Sequence, residues 1–477
     1  MSTLKKSILF SVGEKYIIFA IQFFTSIIVA RLLTPVEFGI FSIGSIFLSF
    51  SHIFRDIGIS NYVIQEQNLS KDRLETAQSL LFATSWTLAI ILWSINGYAA
   101  SYYSEPGVST VIIILSLNFL ILPFGALSSA LLRREMRFDC LLKINISAAI
   151  VHALASISLC LFGFGFVSLA WAGVLSTITT VIATIYFSDR KISLRPHFID
   201  WRHIIKTGGR FSGASLLWES GISGPELIVG KTMGLESTAF LGRAQGVVGL
   251  IYRTIMEGLA PVLMPHFAKS HREQQDIGKK FIKTINNVSA LTFPIFSCLF
   301  VAMDSVVMFL YGNQWLASIQ PARILCMGML GLSIAVVGGS VVAGLGETKY
   351  SLRFQLFGQP AKLLLVLIAC FYSLSHVALA MAFGDLLIAV YVIRTLKKLT
   401  GFYWKDLALT IISSAYIAAC AGVACFLFKT IASEAGDFIV VIGCMASSTL
   451  GWILAIYSSK HPLYIEITTI ASSIKNR

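Results

Sequence analysis

Charge is scarce in this chain. Of its 477 residues only 13% are charged, while 56% are hydrophobic. A soluble domain of this size does not carry that balance. Motifs of chemistry are missing too. There is no Gly-x4-Gly-Lys-Ser/Thr loop, so ATP is not a direct energy source. GxSxG, HExxH and paired-carboxylate arrangements are absent, which removes the usual grounds for a hydrolase or a metalloenzyme. The eight cysteines (Cys140, Cys160, Cys298, Cys326, Cys370, Cys420, Cys425 and Cys444) form no CxxC pair, and most sit inside apolar runs. Packing is their expected role, and neither a zinc site nor a disulfide framework is suggested. The first apolar run lacks an A-x-A cleavage site and reads as a retained first span, not a signal peptide. Large extramembrane segments are missing as well. The longest gaps between apolar runs are 188–208 and 266–284, and gaps such as Ser104-Glu105-Pro106-Gly107 and Tyr311-Gly312-Asn313 are mere turns.

What is present is a rhythm. About fourteen apolar runs have the length of roughly 20 residues that a helix needs to cross the hydrocarbon. They fall near 8–30, 38–64, 77–99, 108–130, 144–163, 166–187, 209–230, 239–265, 285–310, 321–345, 356–374, 376–396, 406–428 and 437–458. The gaps alternate in charge. One set carries clusters such as Arg133, Arg134, Arg137 and Lys143, or Lys269, Arg272, Lys279, Lys280 and Lys283. The other set holds only Arg31, Lys231 and Lys429. By the positive-inside rule both termini and the basic gaps are cytoplasmic. These loops account for the net charge of +13, so the charge calls for anionic headgroups and not for nucleic acid. The fold class expected is an all-α integral membrane protein.

The two halves repeat weakly. Lys15 aligns with Arg210, Arg31 with Lys231, Arg55 with Arg253, Glu135 with Glu347 and Arg137 with Lys349, in order and at offsets from 195 to 212. Spans one to six and seven to twelve then form two pseudo-symmetric six-helix lobes in the same orientation, related by an axis along the membrane normal. The expected divisions are an N-terminal lobe at 1–187, a cytoplasmic linker at 188–208, a C-terminal lobe at 209–398, and two additional spans with a tail at 399–477. A cavity between the lobes, opening to each side in turn, suits this architecture.

Cations inside the spans cost about 2.5–3.5 kcal/mol each near the membrane centre, so they are expected to face a cavity or a partner. Lys15, Arg55, Arg210, Arg243 and Arg253 form the candidate cationic cavity for an anionic substrate, arginine being suited to phosphate by its planar fork. Two bland readings stand beside this one. Lys15 and Arg210 can snorkel to the cytoplasmic surface, and Arg253 can pair with Glu257 one turn on. Asp56, Glu219, Glu226 and Glu257 are the candidates for cation coupling. Glu219 and Glu226 share a face of span seven, and Gly221-Ile222-Ser223-Gly224-Pro225 between them reads as a helix break. The alternative is a kink, with Glu226 bridged to Lys231. His52 and His152, the histidines well inside spans, read as core or cavity residues.

RLLTPVEFG (31–39), followed by FRDIGISNYVIQ (54–65), resembles the N-terminal signature of bacterial polysaccharide transporters of the Wzx type, within the multidrug/oligosaccharidyl-lipid/polysaccharide exporter superfamily. The matching residues are Ala30, Arg31, Leu32, Leu33, Pro35, Phe38, Gly39, Phe54, Asp56, Gly58, Val63 and Gln65. RREMRF (133–138) is also family-like. The resemblance implies a transporter and not an enzyme, multi-pass in the bacterial inner membrane. Such a protein flips an undecaprenyl-pyrophosphate-linked oligosaccharide to the periplasmic leaflet for exopolysaccharide, capsule or O-antigen assembly. It implies alternating access coupled to H⁺ or Na⁺, with no bound cofactor or metal. The partners implied are the lipid-linked oligosaccharide, membrane lipids, and the polysaccharide polymerase with its chain-length machinery. Two other classes stay open: a cation-coupled multidrug extruder of the same superfamily, and a membrane enzyme of glycan assembly. The sign of charge facing the cavity separates the first, and a folded outward catalytic surface would mark the second.

Overall fold

The computed structural model describes residues 3–56, 58–188, 196–199 and 201–464, without the side chains of 3–12, 203, 205–212, 214, 257, 260, 261 and 348. Among these residues the regular structure is helical throughout. The chain forms two compact units, Met1–Ala239 and Phe240–Arg477. The first holds α1 (Thr3–Leu32), α2 (Pro35–Asp56), α3 (Ile59–Gln65), α4 (Lys71–Tyr103), α5 (Pro106–Ile121), α6 (Pro123–Arg134), α7 (Phe138–Leu161), α8 (Val167–Phe187) and α9 (Trp201–Thr232). The helix α10 (Leu235–Arg272) enters the second, which continues with α11 (Ile277–Tyr311), α12 (Ile319–Gly344), α13 (Thr348–Ala369), α14 (Leu374–Thr400), α15 (Trp404–Ile431) and α16 (Asp437–Ser458).

Among the described residues eleven helices are long and apolar enough to cross a membrane, or up to twelve with the bent pair α5–α6 taken as one span. The protein is therefore a multi-pass membrane protein. Fourteen such spans, the number expected from the sequence, are not reached among the described residues. The two long helices outside the set are α9 and α10. Charges such as Glu219 and Glu226 on α9 and Arg243 and Arg253 on α10 lie along them, and both helices include positions outside the described side chains.

The expected second span, 38–64, is two helices. Gly58 adopts a left-handed φ of +71°, a conformation costly for any residue with a Cβ. Asp56 then accepts from Ser60 N at 3.0 Å and Ser60 Oγ at 2.9 Å, tying down the start of α3. The bend offered by Pro123 is real: α5 and α6 meet at 57°. Proline removes one helical N–H there, and Gln78 Nε2 of α4 donates to the Pro123 carbonyl at 2.9 Å. At the start of α2, Thr34 and Glu37 form a reciprocal capping box (Thr34 N to Glu37 Oε2 at 2.9 Å, Glu37 N to Thr34 Oγ1 at 3.3 Å) with Pro35 as the first helical residue. The TPVE of the signature is thus a helix start. Its Gly39 allows close approach, since a Cβ there would stand 2.0 Å from the Leu235 carbonyl oxygen.

In the second unit small residues let α12 and α14 touch. A Cβ on Gly328 would lie 2.9 Å from Ala382 Cα, and one on Gly338 would lie 2.4 Å from Val392 Cγ1. This is the close packing that small residues permit inside membranes. The last pair, α15 and α16, docks on α11. Ser289 and Ser414 share a hydrogen bond at 2.7 Å, and Trp452 Nε1 donates to the Ala290 carbonyl at 2.8 Å. All eight cysteines are free.

Candidate functional site

The α2–α3 break gathers the charges of the first unit. Arg55 is half-buried in the last turn of α2. Its carbonyl accepts from Thr84 Oγ1 of α4 at 2.9 Å. Its guanidinium Nε is buried and has no hydrogen-bond partner. Asp56 is beside it, occupied by the Ser60 contacts. His52, one turn earlier, lies with its ring 5.1 Å from Phe119. The family-like Arg134 closes the far end of α3 by donating to the Val63 carbonyl at 2.7 Å and the Glu66 carbonyl at 2.6 Å, so cationic side-chain donors satisfy carbonyls that a helix end leaves open.

The helix α9 packs along α2, α3 and α4 within this same unit. Near its C-terminal end a Cβ on Gly230 would meet Ile43 Cδ1 at 2.7 Å, and Tyr103 Oη donates to the Leu227 carbonyl at 3.3 Å. Near its N-terminal end Ile204 joins the cluster of Ile59, Tyr62 and Val63. Glu219 and Glu226 lie between these contacts, so they run past the half of α2 that ends in Arg55 and Asp56. Both are half-buried. Glu219 Oε1 accepts from Ser223 Oγ at 2.6 Å.

The expected break at Gly221–Pro225 does not occur. The helix α9 is continuous from Trp201 to Thr232, with Pro225 inside it and Gly221, Gly224 and Pro225 buried. Tertiary packing holds a helix that the local residues disfavour. Lys231 donates to the Tyr102 carbonyl at 2.5 Å and lies 4.5 Å from that ring's centroid.

Lys15 is exposed on α1. The neighbouring Glu14 accepts from Asn145 Nδ2 of α7 at 2.6 Å, fastening α1 to α7. Arg210 and Glu257 lie outside the described side chains.

In the second unit Arg243 is only 7% exposed. Its guanidinium lies 5.0 Å from the Tyr311 ring and 5.0 Å from the Trp315 ring. The cation–π attraction of two faces stabilises a buried cation. Arg243 is therefore held beside aromatic rings in this conformation. Arg253 is exposed, with Nε donating to the Gly249 carbonyl one turn back at 3.4 Å.

Two charge pairings were not foreseen from the sequence. Lys362 of α13 and Asp385 of α14 form a buried ion pair at 2.9 Å. Asp304 of α11 holds Lys429 of α15 at 2.7 Å and Arg323 of α12 at 3.4 Å. Lys429, expected in an outward gap, belongs to the last turn of α15. The one signal available was opposite charge inside apolar runs, and sequence spacing does not pair residues on different helices. Among the described residues no group of three or more His, Cys, Asp or Glu side chains is placed to hold a metal ion.

Comparison with known proteins adds the context. The sequence profile of a family described as "Polysaccharide biosynthesis protein" matches residues 28–320. The chain is 23% identical to the lipopolysaccharide biosynthesis protein WzxC of Escherichia coli (strain K12), over 69% of this chain and 68% of that one. It is 22% identical to the succinoglycan biosynthesis transport protein ExoT of Rhizobium meliloti (strain 1021), over 70% and 67%. Among solved structures it is similar in fold to the lipid II flippase MurJ in an inward closed conformation. That match has a TM-score of 0.78 and 13% identity, covering 96% of this chain and all of that one.

Proposed function

We propose a function from one established fact: this chain belongs to the polysaccharide biosynthesis protein family. It flips a lipid-linked oligosaccharide, the glycan carried on undecaprenyl pyrophosphate, from the cytoplasmic to the periplasmic leaflet of the bacterial inner membrane, with both termini cytoplasmic. The product feeds exopolysaccharide, capsule or O-antigen assembly, and the polymerase and its chain-length machinery are the downstream partners. Relatives named for lipopolysaccharide biosynthesis and succinoglycan transport support this reading, as does the fold shared with a flippase.

The observation that carries it is Arg55. A half-buried guanidinium with a buried, unpartnered Nε at a membrane helix break is poised for an anion, and a pyrophosphate accepts its fork of donors. Lys15, Arg210 and Arg253 extend the same sign of charge along the chain. Asp56, Glu219 and Glu226, together with Glu257, are proposed to take up H⁺ or Na⁺. One unit charge moved through the full membrane potential supplies about 2.3 kcal/mol per 100 mV, enough to bias a two-state transporter.

The test is complementation of a deletion strain with Arg55→Ala, Arg253→Ala and the double variant, with membrane insertion checked. Surface polysaccharide is expected to fall, and lipid-linked precursor to collect on the cytoplasmic face. Normal polysaccharide from the double variant would reject a role for these two cations. A deletion strain with unchanged polysaccharide would reject the function.

A further inference from the structure

The second unit carries a charge cluster that the transport reading leaves unused. Asp304 accepts from Lys429 Nζ at 2.7 Å through Oδ2, and Arg323 Nη2 stands 3.4 Å from Oδ1. Lys429 also donates to the Val301 carbonyl at 3.0 Å. Two cations share one carboxylate, so the cluster is positive by one charge. The sharing is unequal. Lys429 reaches both carboxylate oxygens, whereas Arg323 makes a single long contact and its Nε is buried without a hydrogen-bond partner. A guanidinium has five donors in a fixed fork, and most of this fork is unspent on Asp304.

Position points to the occupant. Arg323 lies near the start of α12 and Lys429 in the last turn of α15. The turns beside them, at Gly312 and at 432–436, belong to the side that the distribution of basic residues assigns outward. The side chains of Lys429, Arg323 and Asp304 are 24%, 28% and 40% exposed. Phe426, Leu427 and Ile431 of α15 and Met327 of α12 are exposed on the same helix ends, offering an apolar rim to hydrocarbon. Partly exposed cations at a helix end, rimmed by lipid-facing side chains, suit a lipid phosphate.

We propose that Arg323 and Lys429 form a binding site for the phosphate of an anionic lipid at the outward end of the second unit. Asp304 orients both cations and leaves one net positive charge, which a phosphodiester neutralises. The site is independent of the flipping reading, because an ordinary phospholipid headgroup satisfies it as well as a polyprenyl pyrophosphate does.

The experiment uses delipidated full-length protein in neutral detergent. Native mass spectrometry would compare phosphatidylglycerol, phosphatidylcholine, undecaprenyl pyrophosphate and free inorganic pyrophosphate. One phosphatidylglycerol or undecaprenyl pyrophosphate should be retained about tenfold better than phosphatidylcholine, a difference of about 1.4 kcal/mol. Arg323→Met should bring the preference for phosphatidylglycerol to parity, and Arg323→Lys, which keeps the charge without the fork, should reduce it. The Lys429–Asp304 pair remains in both variants and supports folding, and Arg323→Lys carries the test if Arg323→Met is not recovered. Undecaprenyl pyrophosphate retained better than phosphatidylglycerol, with that advantage lost in the Arg323 variants, would support the site and name its lipid. Three results would overturn it: no preference in the wild-type protein, a preference unchanged in the recovered Arg323 variants, or free pyrophosphate binding as tightly as either lipid.

Discussion

Lys362 and Asp385 meet at 2.9 Å between α13 and α14, with side chains only 9% and 7% exposed. Gly384 makes the room, since a Cβ there would stand 2.8 Å from both Cβ and Cγ of Lys362. A buried pair of this kind is weak evidence for net stability, but either member alone is a liability. Lys362→Ala or Asp385→Ala is expected to destabilise the protein by about 3–5 kcal/mol, and the apolar pair Lys362→Met with Asp385→Leu to be near neutral. Thermal unfolding in detergent measures this. Singles as stable as the wild type would show that the pair is not held together in the membrane.

Gly58 stands in a left-handed conformation at the start of α3. Gly58→Ala is expected to cost about 1–2 kcal/mol from backbone strain alone. Because Arg55 and Asp56 flank the break, polysaccharide export should fall by more than the loss of folded protein explains. Export that tracks protein abundance would mean that the break is only structural.

Arg243 lies beside the adjoining rings of Tyr311 and Trp315, 5.0 Å from each centroid. Arg243→Lys keeps the charge but loses the flat stacking surface, and a loss of about 1–2 kcal/mol is expected. Unfolding midpoints of Arg243→Lys and Arg243→Met read this loss. A lysine variant as stable as the wild type would remove the aromatic cage as the reason for Arg243.

Orientation is open to direct labelling. In a variant without its eight cysteines, single cysteines at Ser104 and Gln275, both exposed turn residues, should behave oppositely. An impermeant maleimide is expected to label Ser104→Cys in intact cells, and Gln275→Cys only after permeabilisation. The reverse pattern would invert the proposed topology.

Much of the framework was legible without coordinates because it is written locally. Long apolar runs, the turn at Ser104–Gly107 and the bend at Pro123 each depend on neighbours in sequence. RLLTPVEFG and D-x-G were visible as motifs, but only the structure explained them: Thr34 and Glu37 cap α2, and Gly58 parts α2 from α3. The helix α9 is the instructive failure. Gly221–Pro225 favours a break, yet buried packing keeps the helix whole. Its placement with α2, α3 and α4 also cuts across the repeat, which counts α9 with the later spans. A repeat records similarity along the chain, whereas a compact unit records contact.

The sequence by itself determined that this chain lives in a membrane and which family it resembles. Hydropathy, capping and motif chemistry act over a few residues and survive in one dimension. Tertiary structure alone decided where several of the intramembrane charges find their partners. Arg243 is caged by rings, Lys362 is neutralised by Asp385, and Arg55 keeps an unpartnered Nε. The cost of a charge in hydrocarbon is visible in the sequence, but the group that offsets it comes from another helix, and only folding brings the two within a few ångströms.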